Sequence, residues 1–130
     1  MDDEVLIKTV IEAAMKVRQQ LVSGYEEKVY KNALFIELRK HGLTCLTEVP
    51  YAVYYDGIPV GEYRADIVVE NQLVLELKAT ESLQKRDHIQ LVNYLTASGI
   101  DNGLLINFGA DPIEIKRKYR VYRPSHPATD

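Results

Sequence analysis

Cysteine occurs once, at Cys45, so no disulfide can close within the chain and no cysteine-rich zinc site can be built; a lone thiol also suits a reducing compartment. Histidine is nearly as scarce, with three residues scattered without the spacing of a zinc site. Positive charge is not in excess: 16 Lys+Arg against 19 Asp+Glu give a net charge of -3. The molecule is therefore no polycation that coats nucleic acid, and any such contact must use a local patch. Apolar runs fall far short of the roughly 20 residues that span a bilayer. The acidic start "MDDEV" also lacks the basic region of a signal peptide, so the cytoplasm is the expected location and no membrane partner is expected. There is no GxSxG elbow, no phosphate-cradling GxxxxGK, no HExxH and no glycine fingerprint after a strand, which leaves those chemistries without support. No repeat or low-complexity linker divides the 130 residues, of which 46% are hydrophobic and 27% charged. The expectation is one domain over residues 1–130, with residues 124–130 a loose, Pro-containing tail.

What is present reads in the order ααβββαββ. Leu6, Val10, Ala13, Ala14, Val17 and Leu21 recur at helical spacing between Glu4 and Leu21. Ser23-Gly24 interrupts the pattern. A second helix is predicted from about Tyr25 to Lys40, with Val29, Ala33, Leu34 and Leu38 inward and Gly42 as its stop. The β-branched and aromatic stretch from Leu43 to Ala79 then predicts three strands, the first two joined by a two-residue hairpin at Asp56-Gly57. "KRDHIQLVNYLTASG" follows as a helix marked by Ile89, Val92 and Leu95 and ending at Gly99. "GLLINF" is a buried strand, and the basic, alternating "IEIKRKYRVYRP" an edge strand. The fold class is α/β, a mixed central sheet flanked by helices.

The third strand, "LVLELKA", carries an anomaly. Leu73, Leu75 and Leu77 point one way, which leaves Glu76 and Lys78 together on the opposite face with Val74. Ionised groups in so apolar a strand require a partner or a metal. If Glu70, Asn71 and Gln72 form a three-residue loop, counting back from Val69 opposite Leu73 brings Asp66 opposite Glu76. A two-residue loop turns Asp66 to the other face instead.

Asp66, nine residues, then Glu76-x-Lys78 across a hairpin, preceded by a helix bearing Glu27 and followed by one bearing Gln90, resembles the core of the PD-(D/E)XK nuclease superfamily, the restriction-endonuclease-like fold. "GYEEKVY" supplies Gly24, Glu27 and Tyr30 in the pattern G-x-x-E-x-x-Y, and with "GEYRADIVVENQLVLELKA", "HIQLVNYL" and "GLLINFG" it resembles the GxxExxY protein family over about residues 5–123. Ala65 stands where the superfamily name has proline. The resemblance implies phosphodiester hydrolysis of DNA with Mg²⁺ or Mn²⁺. Asp66, Glu76, the Leu77 carbonyl and Glu27 are the implied metal ligands. Lys78 is implied to orient water or stabilise phosphate charge, and Gln90 to bond a water or phosphate, with Tyr94 one turn along. A homodimer fits the narrow footprint of one small domain on DNA.

Each residue also has a structural reading. A helical glutamate such as Glu27 is most often a solvated charge. Asp66 has Arg64 and Lys78 as possible ion-pair partners, Gln90 is a routine helix residue, and Tyr30 and Tyr94 suit packing with a bonded hydroxyl. His88 is a possible phosphate donor, but a lone histidine is more often structural. Lys85, Arg86, Lys116, Arg117, Lys118 and Arg120 form either a phosphate patch or a solvated face, the latter favoured for the tail. The alternative function is a catalytically inactive module of the same fold that binds nucleic acid or protein.

Overall fold

The computed structural model describes residues 1–121. The expected loose tail at 124–130 lies outside the described residues. Helix α1 (Asp3–Gln20) begins where the Asp2 carboxylate accepts the N–H groups of Glu4 at 2.8 Å and Val5 at 3.1 Å. It buries Leu6, Val10, Ala13, Ala14 and Val17. Helix α2 (Glu27–Lys40) starts two residues later than predicted and buries Tyr30, Leu34 and Leu38. Val29, expected inward, is 37% exposed, because the stripe through Tyr30 turns it away from the sheet.

Five strands form one mixed sheet in chain order: β1 (Cys45–Tyr55), β2 (Ile58–Val69), β3 (Leu73–Lys78), β4 (Asn102–Asn107) and β5 (Glu114–Tyr119). Neighbours are antiparallel except β3 and β4, whose parallel pairing needs the crossover helix α3 (Lys85–Ser98). Asp56 and Gly57, at φ +51° and +73°, make the tight hairpin turn between Tyr55 and Ile58. Glu70, Asn71 and Gln72 form a three-residue connection with Val69 facing Leu73, as the hydrophobic register requires.

Helices α1 and α2 cover one face over Ile67, Val69, Leu73, Leu75, Leu77, Leu104 and Ile106. On the other face α3 packs Leu91 and Leu95 on Tyr63, Ala65, Val68, Val74 and Leu105. Helix α3 was expected to be marked by Ile89, Val92 and Leu95. Its inner stripe is Leu91 and Leu95, and Ile89, two positions before Leu91 and so off that face, is 51% exposed. Among the described residues no helix is long and apolar enough to cross a membrane. The observed order is ααβββαββ, a mixed sheet with helices on both faces, as the sequence predicts.

Candidate active site

The site begins where two strands part. Backbone pairing of β2 with β3 runs Val69↔Leu73, Val68↔Val74, Ile67↔Leu75 and then stops. Past that point side chains replace the ladder. The Leu77 N–H donates to Asp66 Oδ2 at 2.8 Å, and the Asp66 N–H lies 3.4 Å from Glu76 Oε1. Each carboxylate thus satisfies the other strand's orphaned donor. The N–H and C=O of one strand residue face the same neighbour, so the Leu77 carbonyl also opens toward this fork. The pleat of β2 breaks here as well. Tyr63 and Ala65 pack toward α3, whereas Ile67 and Val69 pack toward α1 and α2, and Glu48 on β1 beside the break adopts φ +52°.

Glu27 reaches the fork from the first turn of α2, and its motif explains how. Gly24 holds φ +119°, a conformation that side chains resist. The buried Tyr30 stacks on Phe108 with ring centroids 4.8 Å apart. Its hydroxyl donates to the Val22 carbonyl and accepts the Tyr25 N–H, fastening the α1–α2 connection. Glycine and tyrosine therefore shape a loop that delivers Glu27 to the helix start. A cleft of about 600 Å³ joins Glu27, Lys31, Glu48 and Asp66, with Lys31 Nζ 2.7 Å from Glu48.

Glu76 is 9% exposed and sits between this cleft and the α3 side. There it accepts the Tyr63 hydroxyl at 3.2 Å, and Tyr63 stacks on Tyr94 at 3.4 Å between centroids. Gln90 lies one turn before Tyr94 on α3 and influences its hydroxyl. It lines a second cleft of about 630 Å³ with Lys78, Gln84, Arg86 and Asp87. Lys78 Nζ lies 3.8 Å from Asp87, whose other oxygen caps α3 by accepting the Gln84 N–H at 2.8 Å. The ion pairs open to Asp66 are not made: Arg64 goes to Glu62 at 3.3 Å and Lys78 to Asp87. The two charges of β3 are likewise no pair with each other among the described residues.

Burial, then the neighbouring Asp66 charge, pushes Glu76 up to about 8, against the Asp66 N–H, the Tyr63 hydroxyl and Lys78. Burial also raises Asp66, opposed chiefly by the Leu77 N–H and Lys31. Glu27 is raised by partial burial and then by Asp66. Tyr63 is raised far above its ordinary range by burial and by Glu76, which keeps it a hydrogen-bond donor.

Among the described residues no three His, Cys, Asp or Glu side chains converge on one point. The fork instead offers two carboxylates and a main-chain carbonyl, all hard oxygens. That donor set fits Mg²⁺, which binds through one or two carboxylates and keeps several waters. Sequence reasoning missed Tyr63, Asp87, Lys31 and Glu48. Lys31 was the most legible, one turn after Glu27 on the same helix face. Asp87 follows Gln84 at capping-box spacing, but with residue types that make a weak signal. Tyr63 and Glu48 depend on the break in β2.

The crystal structure of SSO0001 is similar, with 20% identity and a TM-score of 0.54; the match covers 74% of this chain and 50% of that one, so the present chain spans about half its length. No curated protein matches the chain. A family model described as the PD-(D/E)XK nuclease superfamily matches residues 4–119, nearly the whole chain, and the protein belongs to that superfamily.

Proposed function

We propose that the protein is a divalent-metal-dependent nuclease that hydrolyses phosphodiester bonds of DNA, within the GxxExxY group of its superfamily. The observation that carries this reading is the pair Asp66 and Glu76, brought together at the fork with no lysine or arginine paired to either among the described residues. Two neighbouring carboxyls, Glu76 buried and Asp66 half-buried, resist ionising together unless a cation joins them. Asp66, Glu76, the Leu77 carbonyl and Glu27 would hold Mg²⁺ or Mn²⁺. When bound, such an ion polarises a phosphoryl oxygen and lowers the pKa of a coordinated water. Tyr63 holds Glu76 in place, and Tyr94 backs Tyr63. Lys78, kept at the rim by Asp87, meets negative charge that develops on the phosphate or orients the attacking water. Gln90 binds a water or phosphate oxygen from the α3 cleft.

A second reading, a binding module that cuts nothing, is favoured by one observation: Lys78 is engaged with Asp87 rather than turned to the fork. An ion pair of 3.8 Å that is partly open to solvent holds weakly, so substrate phosphate competes for the lysine. The deciding experiment is calorimetric titration of Mn²⁺ into wild type and Asp66→Asn, followed by plasmid nicking with both. Asparagine keeps an acceptor for the Leu77 N–H and removes the charge. Loss of both binding and nicking in the variant supports the nuclease. A wild type that neither binds the ion nor nicks DNA favours the binding module.

A further inference from the structure

Strand β5 sorts its cations onto two faces. Arg117 turns toward α1 and is tied to Glu4 at 2.8 Å and Asn102 at 3.0 Å, and Arg120 beyond the strand is tied to Asp101 at 2.8 Å. Lys116 and Lys118 pair in the sheet with Leu105 and Gly103, residues that lie under Leu91 and Leu95, so both lysines stand on the α3 face. Among the described residues neither has a carboxylate within ion-pair distance. The acids nearest to them are already bonded. Glu114 accepts the Leu83 N–H at 3.2 Å and the Asn107 amide at 2.9 Å, and Asp87 holds Lys78 and the Gln84 N–H. An acidic protein thus places two lysines on one face with, among the described residues, no ion pair to either.

On α3, burial and then Lys118 hold the His88 imidazole below its usual range, with Lys116 adding to this and Asp87 and Glu114 opposing it. Arg86 and Lys78 line a cleft at the start of α3, the helix that packs on this same face. From the register, Lys116 lies two strands across and two residues along from Lys78, and Lys118 two residues further. At ordinary sheet spacings that is roughly 12 and 16 Å, the axial span of about four to five phosphates of one duplex strand.

We propose that Lys116 and Lys118 form a second site that binds backbone phosphates of the nucleic-acid substrate away from the bond being cut. The proposal rests on the nuclease reading of the fork for the identity of its ligand. It assigns to β5 the grip that the chain's net charge denies to the molecule as a whole.

The test measures affinity for a fluorescent 20-base-pair DNA duplex by anisotropy across a salt series in EDTA, where nothing is cut. Wild type, the double variant Lys116→Gln/Lys118→Gln and the control Lys8→Gln on α1 are compared. Two lost phosphate contacts lower the slope of log affinity against log salt by about 1.8 and weaken binding roughly tenfold or more near 0.1 M salt. The control leaves both unchanged. Hydrolysis of bis(4-nitrophenyl) phosphate, too short to reach the patch, stays at the wild-type rate in the double variant. A slope that does not change, or changes as much in the control, overturns the proposal even if the enzyme cuts DNA. A wild type that binds through the patch but hydrolyses neither substrate overturns the nuclease reading alone.

Discussion

Glu76→Gln is expected to stabilise the metal-free protein at alkaline pH while abolishing cleavage. A free glutamate ionises near 4.5, whereas burial and Asp66 hold folded Glu76 up to about 8. Below pH 4.5 both states are protonated and nothing is lost. Between 4.5 and 8 the unfolded chain releases this proton and the folded chain keeps it, so stability falls as pH rises. Above 8 the whole penalty is present. The interval of about 3.5 units, at 1.36 kcal/mol per unit, sets a ceiling of about 5 kcal/mol. That is a large share of the roughly 5–15 kcal/mol that holds a domain folded. At roughly 4 °C per kcal/mol for a chain of this size, even half the ceiling moves the melting temperature by about 10 °C. The glutamine amide keeps an oxygen for the Tyr63 hydroxyl and the Asp66 N–H, and its NH₂ has the Asp66 carboxylate to meet.

Thermal melts followed by circular dichroism in EDTA, from pH 4.5 to 9, measure this directly. The difference between variant and wild type isolates residue 76 from every other titrating group. The variant is expected to gain on wild type steadily between pH 5 and 8, and Mn²⁺ is expected to close the gap by stabilising wild type alone. A difference that is flat across this window, or that shrinks as pH rises, refutes the account of Glu76 as a carboxyl denied its charge.

Four further variants test the surrounding structure. Gly109→Ala places a methyl 2.4 Å from both the backbone N and O of Thr80, so the end of β4 must shift; urea unfolding is expected to show a loss of roughly 3 kcal/mol. Asp87→Ala removes both the cap of α3 and the partner of Lys78, and is expected to cost about 1 kcal/mol by urea unfolding and to lower kcat. Asp87→Asn keeps an acceptor for the cap, so it is expected to retain most of that stability while kcat still falls. Tyr30→Phe strands the Val22 carbonyl and the Tyr25 N–H, with an expected cost of about 1–2 kcal/mol in thermal melts and weaker Mn²⁺ binding by calorimetry as Glu27 loses its fixed starting point.

Much of the fold was legible because its signals are local. The Asp56-Gly57 turn, the register set by Glu70 to Gln72 and the alternation of Leu73, Leu75 and Leu77 each depend on a few neighbouring residues. The faces of α2 and α3 were less legible. Val29 and Ile89 are apolar at helical spacing yet exposed, and only the packed sheet decides which stripe turns inward. At the site, alternation along β3 placed Glu76 and Lys78 correctly on the face of Val74. It could not foresee that β2 breaks its pleat at Asp66, which puts Asp66 with Glu27 and Lys31 in one cleft and leaves Lys78 and Gln90 in the other. That break also brings Tyr63 onto Glu76, a contact that no spacing in the sequence announces.

The parting of β2 from β3 also explains why acids stand there. Once the ladder ends at Ile67↔Leu75, the N–H groups of Asp66 and Leu77 lose their main-chain partners, and each must find an acceptor inside the sheet. A carboxylate on each strand supplies one to the other, and those bonds favour the charged forms. They offset only part of what burial and mutual repulsion cost, since Glu76 still stands near 8 and Asp66 is raised as well. The remainder is a penalty that a divalent cation is suited to relieve, because it attracts both carboxylates at once and leaves their backbone bonds in place. Metal affinity at the fork should therefore rise with pH until Glu76 has given up its proton, and the same groups that hold the open strands together set the charge of the site.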